Sequence, residues 1–76
     1  MTKKDYILIA DGLISRYKIY AQKYGINELT KRRSVLLDTA STLGNLFESD
    51  NPRFDIVKWD SYILKGFNSI ERNNDA

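Results

Sequence analysis

The chain is divided by the stretch Asp50-Asn51-Pro52-Arg53-Phe54-Asp55, which lies between two segments of helical apolar periodicity. Pro52 lacks an amide hydrogen and forces Asn51 out of the α region, so we expect the preceding helix to end near Ser49. An alternative start for the next helix has Asn51 as its cap and Pro52 as its first residue. In either case the stretch predicts a helix end followed closely by a helix start.

The second half of this stretch contains the signals of a helix start. Asp55 can accept a hydrogen bond from an amide of the first turn, and its charge faces the positive end of the helix dipole. Phe54 and Trp59 have the spacing of a hydrophobic staple, which fixes the angle at which the chain enters a helix. Capping and stapling give every residue of the stretch a structural role except Arg53.

The segment before the junction predicts two helices joined by a short loop. Thr2 and Asp5 form a variant of the capping box, and Gly25 has the position of a C′ glycine, so the first helix should span about residues 3–24. Asn27 is a good N-cap for a second helix at about 28–49. Because the loop cannot carry the chain to the far end of the first helix, the two helices should form an antiparallel hairpin.

The segment after the junction predicts a third helix at about 55–71, packed across the hairpin. Its apolar residues recur at steps of three and four, which is helical spacing; they are Ile56, Trp59, Ile63, Phe67 and Ile70. The polar end at about 72–76 has no cap, and we expect it to fray. Residues 1–76 therefore predict one all-α domain.

Composition excludes several classes of function. The chain has 76 residues, no cysteine and no histidine, and a net charge of +2. The missing residue types remove disulfides, thiolate and imidazole metal ligands and the usual general base. No apolar run approaches the ~20 residues of a membrane span. The sequence predicts a cytoplasmic protein with no membrane association.

The carboxylates do not predict a catalytic or metal site. No two of them combine helical i, i+3 or i, i+4 spacing with an apolar environment that would bring them together and shift a pKa. The glycines lie in no phosphate-binding pattern, and no serine has a nucleophile-elbow context. We therefore expect no metal, no cofactor and no enzymatic activity.

Basic and aromatic residues converge on the turn of the predicted hairpin. This candidate partner-binding set comprises Tyr17, Tyr20, Tyr24, Lys31, Arg32 and Arg33. Tyrosine and arginine are common anchors of interfaces, and positive charge at a helix start opposes the dipole, so the two arginines should contribute little to folding. The alternatives are that the charges are only solvated and that the tyrosines form the rim of the core.

A second apolar row lies off the predicted core face of each hairpin helix. It is a candidate oligomer interface and comprises Leu8, Gly12, Ser15, Ile19, Val35 and Leu46. Two amphipathic helices should not leave such rows in water, so the sequence predicts a homodimer or a higher oligomer.

Three parts of the sequence resemble a group of small bacteriophage proteins with no assigned activity. They are the opening Met1-Thr2-Lys3-Lys4-Asp5-Tyr6, the following Ile9-Ala10-Asp11, and the stretch from Asp50 to Asp55 before the last helix. The resemblance implies a phage protein made in the cytoplasm of an infected bacterium. It implies no particular chemistry.

These observations together predict binding without catalysis. The leading hypothesis is a phage accessory protein that binds and occludes a host protein, such as a component of defence or transcription. One alternative is an oligomeric sponge that sequesters a nucleotide immune signal between Arg32, Arg33 and the tyrosines. A third is weak nucleic-acid binding, which would lose affinity steeply as salt rises.

Overall fold

The computed structural model describes residues 1–74, which form three helices. Helix α1 spans Lys3–Lys23, α2 spans Ile26–Asp50 and α3 spans Ile56–Asn74. Each helix contacts the other two, in a molecule that measures 39 × 19 × 16 Å. The prediction of an all-α hairpin with a third helix packed across it is confirmed.

Helix α1 begins with the predicted capping box. The Asp5 amide donates to Thr2 Oγ1 over 3.4 Å, and the Thr2 amide donates to Asp5 Oδ2 over 2.9 Å. Hydrogen bonding of the Asp5 carboxylate, first to the Thr2 amide and then to the Thr2 side chain, holds the pKa of Asp5 below its ordinary value because it favours the charged form. The first helix therefore starts where the sequence predicts.

The turn between α1 and α2 differs from the prediction. Gly25 is the N-cap of α2 and has extended backbone, with φ −70° and ψ 172°, so it is not a left-handed C′ residue. Tyr24 caps α1 and is also extended. Two extended residues suffice to reverse the chain, so α2 begins at Ile26 and Asn27 lies inside the helix rather than at its cap.

The junction adopts the predicted cap and staple. The Asn51 amide donates to the Phe47 carbonyl over 2.8 Å and closes α2. Asp55 Oδ1 accepts a hydrogen bond of 3.0 Å from the Lys58 amide at the start of α3. The rings of Phe54 and Trp59 lie 5.8 Å apart between centroids, so the staple is formed.

Helix α3 continues beyond its predicted end. It reaches Asn74, so residues 72–74 are helical where a frayed tail is predicted at about 72–76. Asp75 and Ala76 lie outside the described residues.

The core is built around α3, which contributes three large buried side chains to it. Trp59, Ile63 and Phe67 are at most 5% exposed. The Trp59 indole N–H donates to the Ala40 carbonyl over 2.9 Å, so its polar atom is satisfied against α2. These contacts fix α3 against both hairpin helices.

Two glycines let the helices approach closely. A Cβ atom at Gly44 would lie 2.9 Å from Cδ1 of Trp59, and one at Gly66 would lie 2.5 Å from Cδ1 of Ile14. Both distances are shorter than side chains tolerate without movement. The glycines therefore allow α3 to pack on α2 and α1 respectively.

Candidate functional site

The first candidate surface is the predicted one at the turn between α1 and α2, which we call the turn end. Its central cation is Arg32, whose guanidinium carbon lies 4.1 Å from the ring centroid of Tyr24 and 5.0 Å from that of Tyr20. Arg32 Nε also donates to Glu28 Oε1 over 3.1 Å. The structure thus brings these residues together, but their charge and aromatic faces already contact one another.

Tyr17 is a core residue, which corrects its assignment to the partner-binding set. It is 1% exposed, and its ring stacks on Phe67 with centroids 4.3 Å apart. Its hydroxyl donates to Glu71 Oε1 over 2.8 Å. Burial and the hydrogen bond to the Glu71 carboxylate raise the pKa of Tyr17 to about 12. Tyr17 faces α3 and offers no surface to a partner.

Arg33 joins α2 to α3, which corrects the expectation that it contributes little to folding. Its Nε donates to Glu71 Oε1 over 2.7 Å, and its guanidinium carbon lies 5.9 Å from the ring centroid of Phe67. Glu71 therefore accepts hydrogen bonds from both hairpin helices, through Tyr17 and Arg33. Of the three basic residues in this set, Lys31 is exposed, whereas Arg32 and Arg33 are half-buried.

Replacing Arg33 with glutamate is expected to lower the free energy of unfolding by about 1–2 kcal/mol, because it removes a charged hydrogen bond and places a second carboxylate beside Glu71. The expected loss of stability is modest because Arg33 and Glu71 both remain partly exposed to water. Chemical denaturation followed by circular dichroism measures the change.

Lys31→Glu is the matched control, since it makes the same charge change in the same turn of α2 at an exposed position. Combining Arg33→Glu with Glu71→Arg should recover part of the loss. If Arg33→Glu is as stable as Lys31→Glu, the ion pair has no structural role.

The second candidate surface lies at the opposite end of the molecule, and we call it the junction groove. It has a volume of about 440 Å³ and lies between the starts of α1 and α3 and the loop that precedes α3. Of its twelve lining residues, Ala10 and Trp59 alone are buried, so the groove is open to solvent. The lining residues are Met1, Lys3, Tyr6, Ile7, Ala10, Asn51, Arg53, Phe54, Asp55, Lys58, Trp59 and Tyr62.

Packed aromatic rings form the inner wall of the junction groove. The ring of Tyr6 lies 4.6 Å from that of Phe54 and 5.0 Å from that of Phe47, between centroids. Phe47 in turn meets Trp59 edge to face at 5.4 Å. Because rings from all three helices and the junction support one another, this wall is held rigidly.

The rim of the junction groove carries exposed apolar and basic side chains. Ile7 is 39% exposed and Tyr62 is 42% exposed. Lys3, Arg53 and Lys58 are exposed as well, and none of them makes an ion pair with any of the residues that the structure describes. This rim differs from the turn end, where Arg32 and Arg33 are both paired.

The acidic groups near the groove are engaged within the chain. Asp55 accepts the Lys58 amide, and Asp11 accepts the hydroxyl of Tyr62 over 2.5 Å. The hydrogen bond to Asp11 raises the pKa of Tyr62, because it favours the protonated phenol. Three cations and one carboxylate, Asp55, line the groove, so positive charge is in excess around its apolar floor.

Sequence reasoning missed the junction groove as a site. Phe54, Asp55 and Trp59 have structural roles in the predicted cap and staple, whereas Tyr6 and Ile7 belong to a helix almost fifty residues earlier. Periodicity does not show which parts of distant helices meet. The one available signal was Arg53, which has no role in the cap or the staple and now lies on the rim.

The candidate oligomer interface remains on the outside of the molecule. Leu8, Val35 and Leu46 are 71%, 64% and 59% exposed, and Ile19 is 45% exposed. Gly12 and Ser15 are exposed too, and a Cβ at Gly12 would meet nothing within 4 Å. None of the helices within residues 1–74 buries these six residues of α1 and α2, which we call the outer row. Self-association through it stays a prediction.

The structure brings no metal-binding cluster together among residues 1–74, since no three of their carboxylates converge. In the same part of the chain, every helix is too short or too polar to cross a membrane.

Comparison with known proteins gives no match: no protein-family model fits the sequence, and no curated protein or solved structure is significantly similar to it. The resemblance to phage proteins therefore stays a prediction.

Proposed function

We propose that this protein is a non-catalytic binding protein that occludes a partner protein through the junction groove. The resemblance in the opening residues and in the junction favours a phage accessory protein that acts on a host protein, such as a component of defence or transcription, in the cytoplasm of an infected bacterium. The geometry supports the binding mode, and the resemblance supports the setting.

The observation that carries this proposal is the combination of open volume, exposed apolar side chains and free cations at one place. A volume of about 440 Å³ falls within the ~300–1,000 Å³ typical of ligand pockets. Interface energy concentrates in aromatic and arginine anchors that are surrounded by polar groups, and the groove supplies Tyr62, Arg53 and the rigid wall behind them.

The nucleotide sponge is less well supported. It requires a pocket at the turn end formed by tyrosine faces and free arginines. Tyr17 is buried, Arg33 is bonded to Glu71, and Arg32 already lies against Tyr20 and Tyr24. A nucleotide phosphate would have to displace these internal contacts before it could bind.

We also propose that the outer row mediates self-association. A homodimer or higher oligomer would cover residues such as Leu8 and Val35, and the junction groove would remain accessible because no residue of the outer row lines it. Light scattering behind a sizing column, with the protein at tens of micromolar, tests this self-association. A strictly monomeric mass would contradict it.

The function is tested by two substitutions at neighbouring positions. Ile7→Glu places a carboxylate in the groove, whereas Leu8→Glu places the same group on the outer row. Ile7→Glu should weaken the partner complex by more than about tenfold, because an apolar contact is replaced by a charge that must be desolvated. Leu8→Glu should leave that affinity within about twofold.

Immobilised parent protein and both variants are exposed to host lysate, and the captured protein is identified by mass spectrometry and then purified for titration. Circular dichroism melting establishes that each variant is folded. Loss of the partner in Leu8→Glu, with retention in Ile7→Glu, would assign binding to the outer row. Nuclease treatment of the lysate before capture separates the remaining class, because it removes nucleic acid and leaves a protein partner intact.

A further inference from the structure

We infer that the part of the partner that enters the junction groove is an acidic peptide segment with a large apolar side chain as its anchor. This inference rests on the proposed function, which leaves the kind of segment open. The inference follows from the charge and the shape of the junction groove.

The cations of the rim surround the groove from three different elements. Lys3 belongs to the first turn of α1, Arg53 to the loop before α3, and Lys58 to the first turn of α3. None of the three is paired with a carboxylate of the described residues, although charged side chains make up 29% of the sequence. These cations are therefore free to meet negative charge on a partner.

The carboxylates near the groove reduce this positive charge without cancelling it, because Asp55 is the single carboxylate that lines the groove together with the three cations. Asp5 accepts the Thr2 amide, Asp55 accepts the Lys58 amide, and Asp11 accepts the Tyr62 hydroxyl. These hydrogen bonds fix the carboxylates in place and leave their negative charge intact. The starts of α1 and α3 also lie here, so the positive ends of two helix dipoles add to the field of the cations.

The floor between the cations is apolar and fits a side-chain anchor. Ile7 and Tyr62 stand on the rim, and Tyr6, Phe54 and Trp59 lie behind them. An aliphatic or aromatic side chain placed there would bury apolar area against rings that are already fixed, at little cost in ordering the site. Carboxylates on neighbouring residues of the same segment would then reach the rim.

A peptide suits this arrangement better than a nucleic-acid backbone. Nucleic-acid affinity comes mainly from many phosphate contacts along a basic track, and three cations around an apolar depression do not form such a track. The chain as a whole has a net charge of only +2. An acidic segment with an apolar anchor matches both the charge and the floor.

The test selects binders for the full chain from a displayed library of random short peptides. The parent protein should enrich peptides in which aspartate or glutamate flanks a bulky apolar residue. A synthetic peptide from that set should change the fluorescence of Trp59, the single tryptophan, which lines the groove.

Two charge-reversed variants make the result specific. The double variant Arg53→Glu with Lys58→Glu reverses two charges on the rim and should weaken binding of the selected peptide by more than about tenfold. When this variant is itself used for selection, it should enrich basic peptides. Lys18→Glu with Lys31→Glu makes the same change in net charge at exposed positions outside the groove, and it should alter affinity by less than about twofold.

Enriched peptides without acidic residues, an equal loss of affinity in both variants, or tighter binding of a single-stranded oligonucleotide than of any peptide would overturn the inference. Its failure is distinguishable from that of the proposed function. If Ile7→Glu loses the host partner but the selected peptides are not acidic, the groove still binds a protein and only the chemistry of the occupant is wrong.

Discussion

Replacing Trp59 with alanine is expected to lower the free energy of unfolding by about 3–5 kcal/mol, the range for truncating a large buried aromatic residue. The side chain is 5% exposed and meets the rings of Phe47 and Phe54. Its N–H also donates to the Ala40 carbonyl, so the substitution removes a buried hydrogen bond together with the packing. A domain of this length has a total stability of roughly 4–11 kcal/mol. The variant should therefore lose a large part of its stability.

Urea denaturation followed by circular dichroism measures the effect, since the variant lacks the fluorescent residue. Val57→Ala is the control: it shortens an apolar residue in the same turn of α3, but one that is 71% exposed, and should change stability by less than about 0.5 kcal/mol. A loss of less than about 1 kcal/mol for Trp59→Ala would contradict the central place of this residue in the core.

Gly44→Val is expected to destabilise the protein by about 3 kcal/mol, at the upper end of the cost of overpacking a core. A Cβ at this position would lie 2.9 Å from Cδ1 and 3.0 Å from Nε1 of Trp59, and 3.3 Å from Cγ1 of Ile56. The indole cannot move aside easily because its hydrogen bond to Ala40 and the surrounding rings hold it. The β-branched side chain would therefore push α2 away from α3.

Gly12→Ala provides the contrasting control, because nothing lies within 4 Å of a Cβ there. It should stabilise the protein by about 1 kcal/mol through helix propensity alone. The same denaturation series compares both variants. If Gly44→Val and Gly12→Ala were equally stable, close approach of α2 and α3 at Gly44 would not be required.

The sequence was sufficient for the helices and for the junction, because their signals are local. Pro52 ends a helix through its own geometry, and Asp55 caps the next one through an amide three residues away. The wrong prediction of Asn27 as the N-cap of α2 also has a local cause. The tight two-residue turn at Tyr24 and Gly25 starts α2 earlier than the capping preference of Asn27 indicates.

The site was less predictable because its parts are distant in the sequence. Periodicity places Tyr17 and Arg33 near a helix face, but it does not reveal that both will meet Glu71 on α3. The rotation of each helix about its axis, which decides what is buried, is set by packing details such as Gly66 against Ile14. The junction groove exists only once α1 and α3 lie side by side.

Site-specific photocrosslinking in host lysate tests most directly whether the junction groove is the binding surface. Benzoylphenylalanine is incorporated, one position at a time, at Tyr62 on the groove, at Tyr24 on the turn end and at Val35 on the outer row. We expect a host-protein adduct from position 62, suppressed by excess unlabelled parent protein, and none from positions 24 and 35. Adducts from position 24 or 35 without one from position 62 would contradict the proposed function.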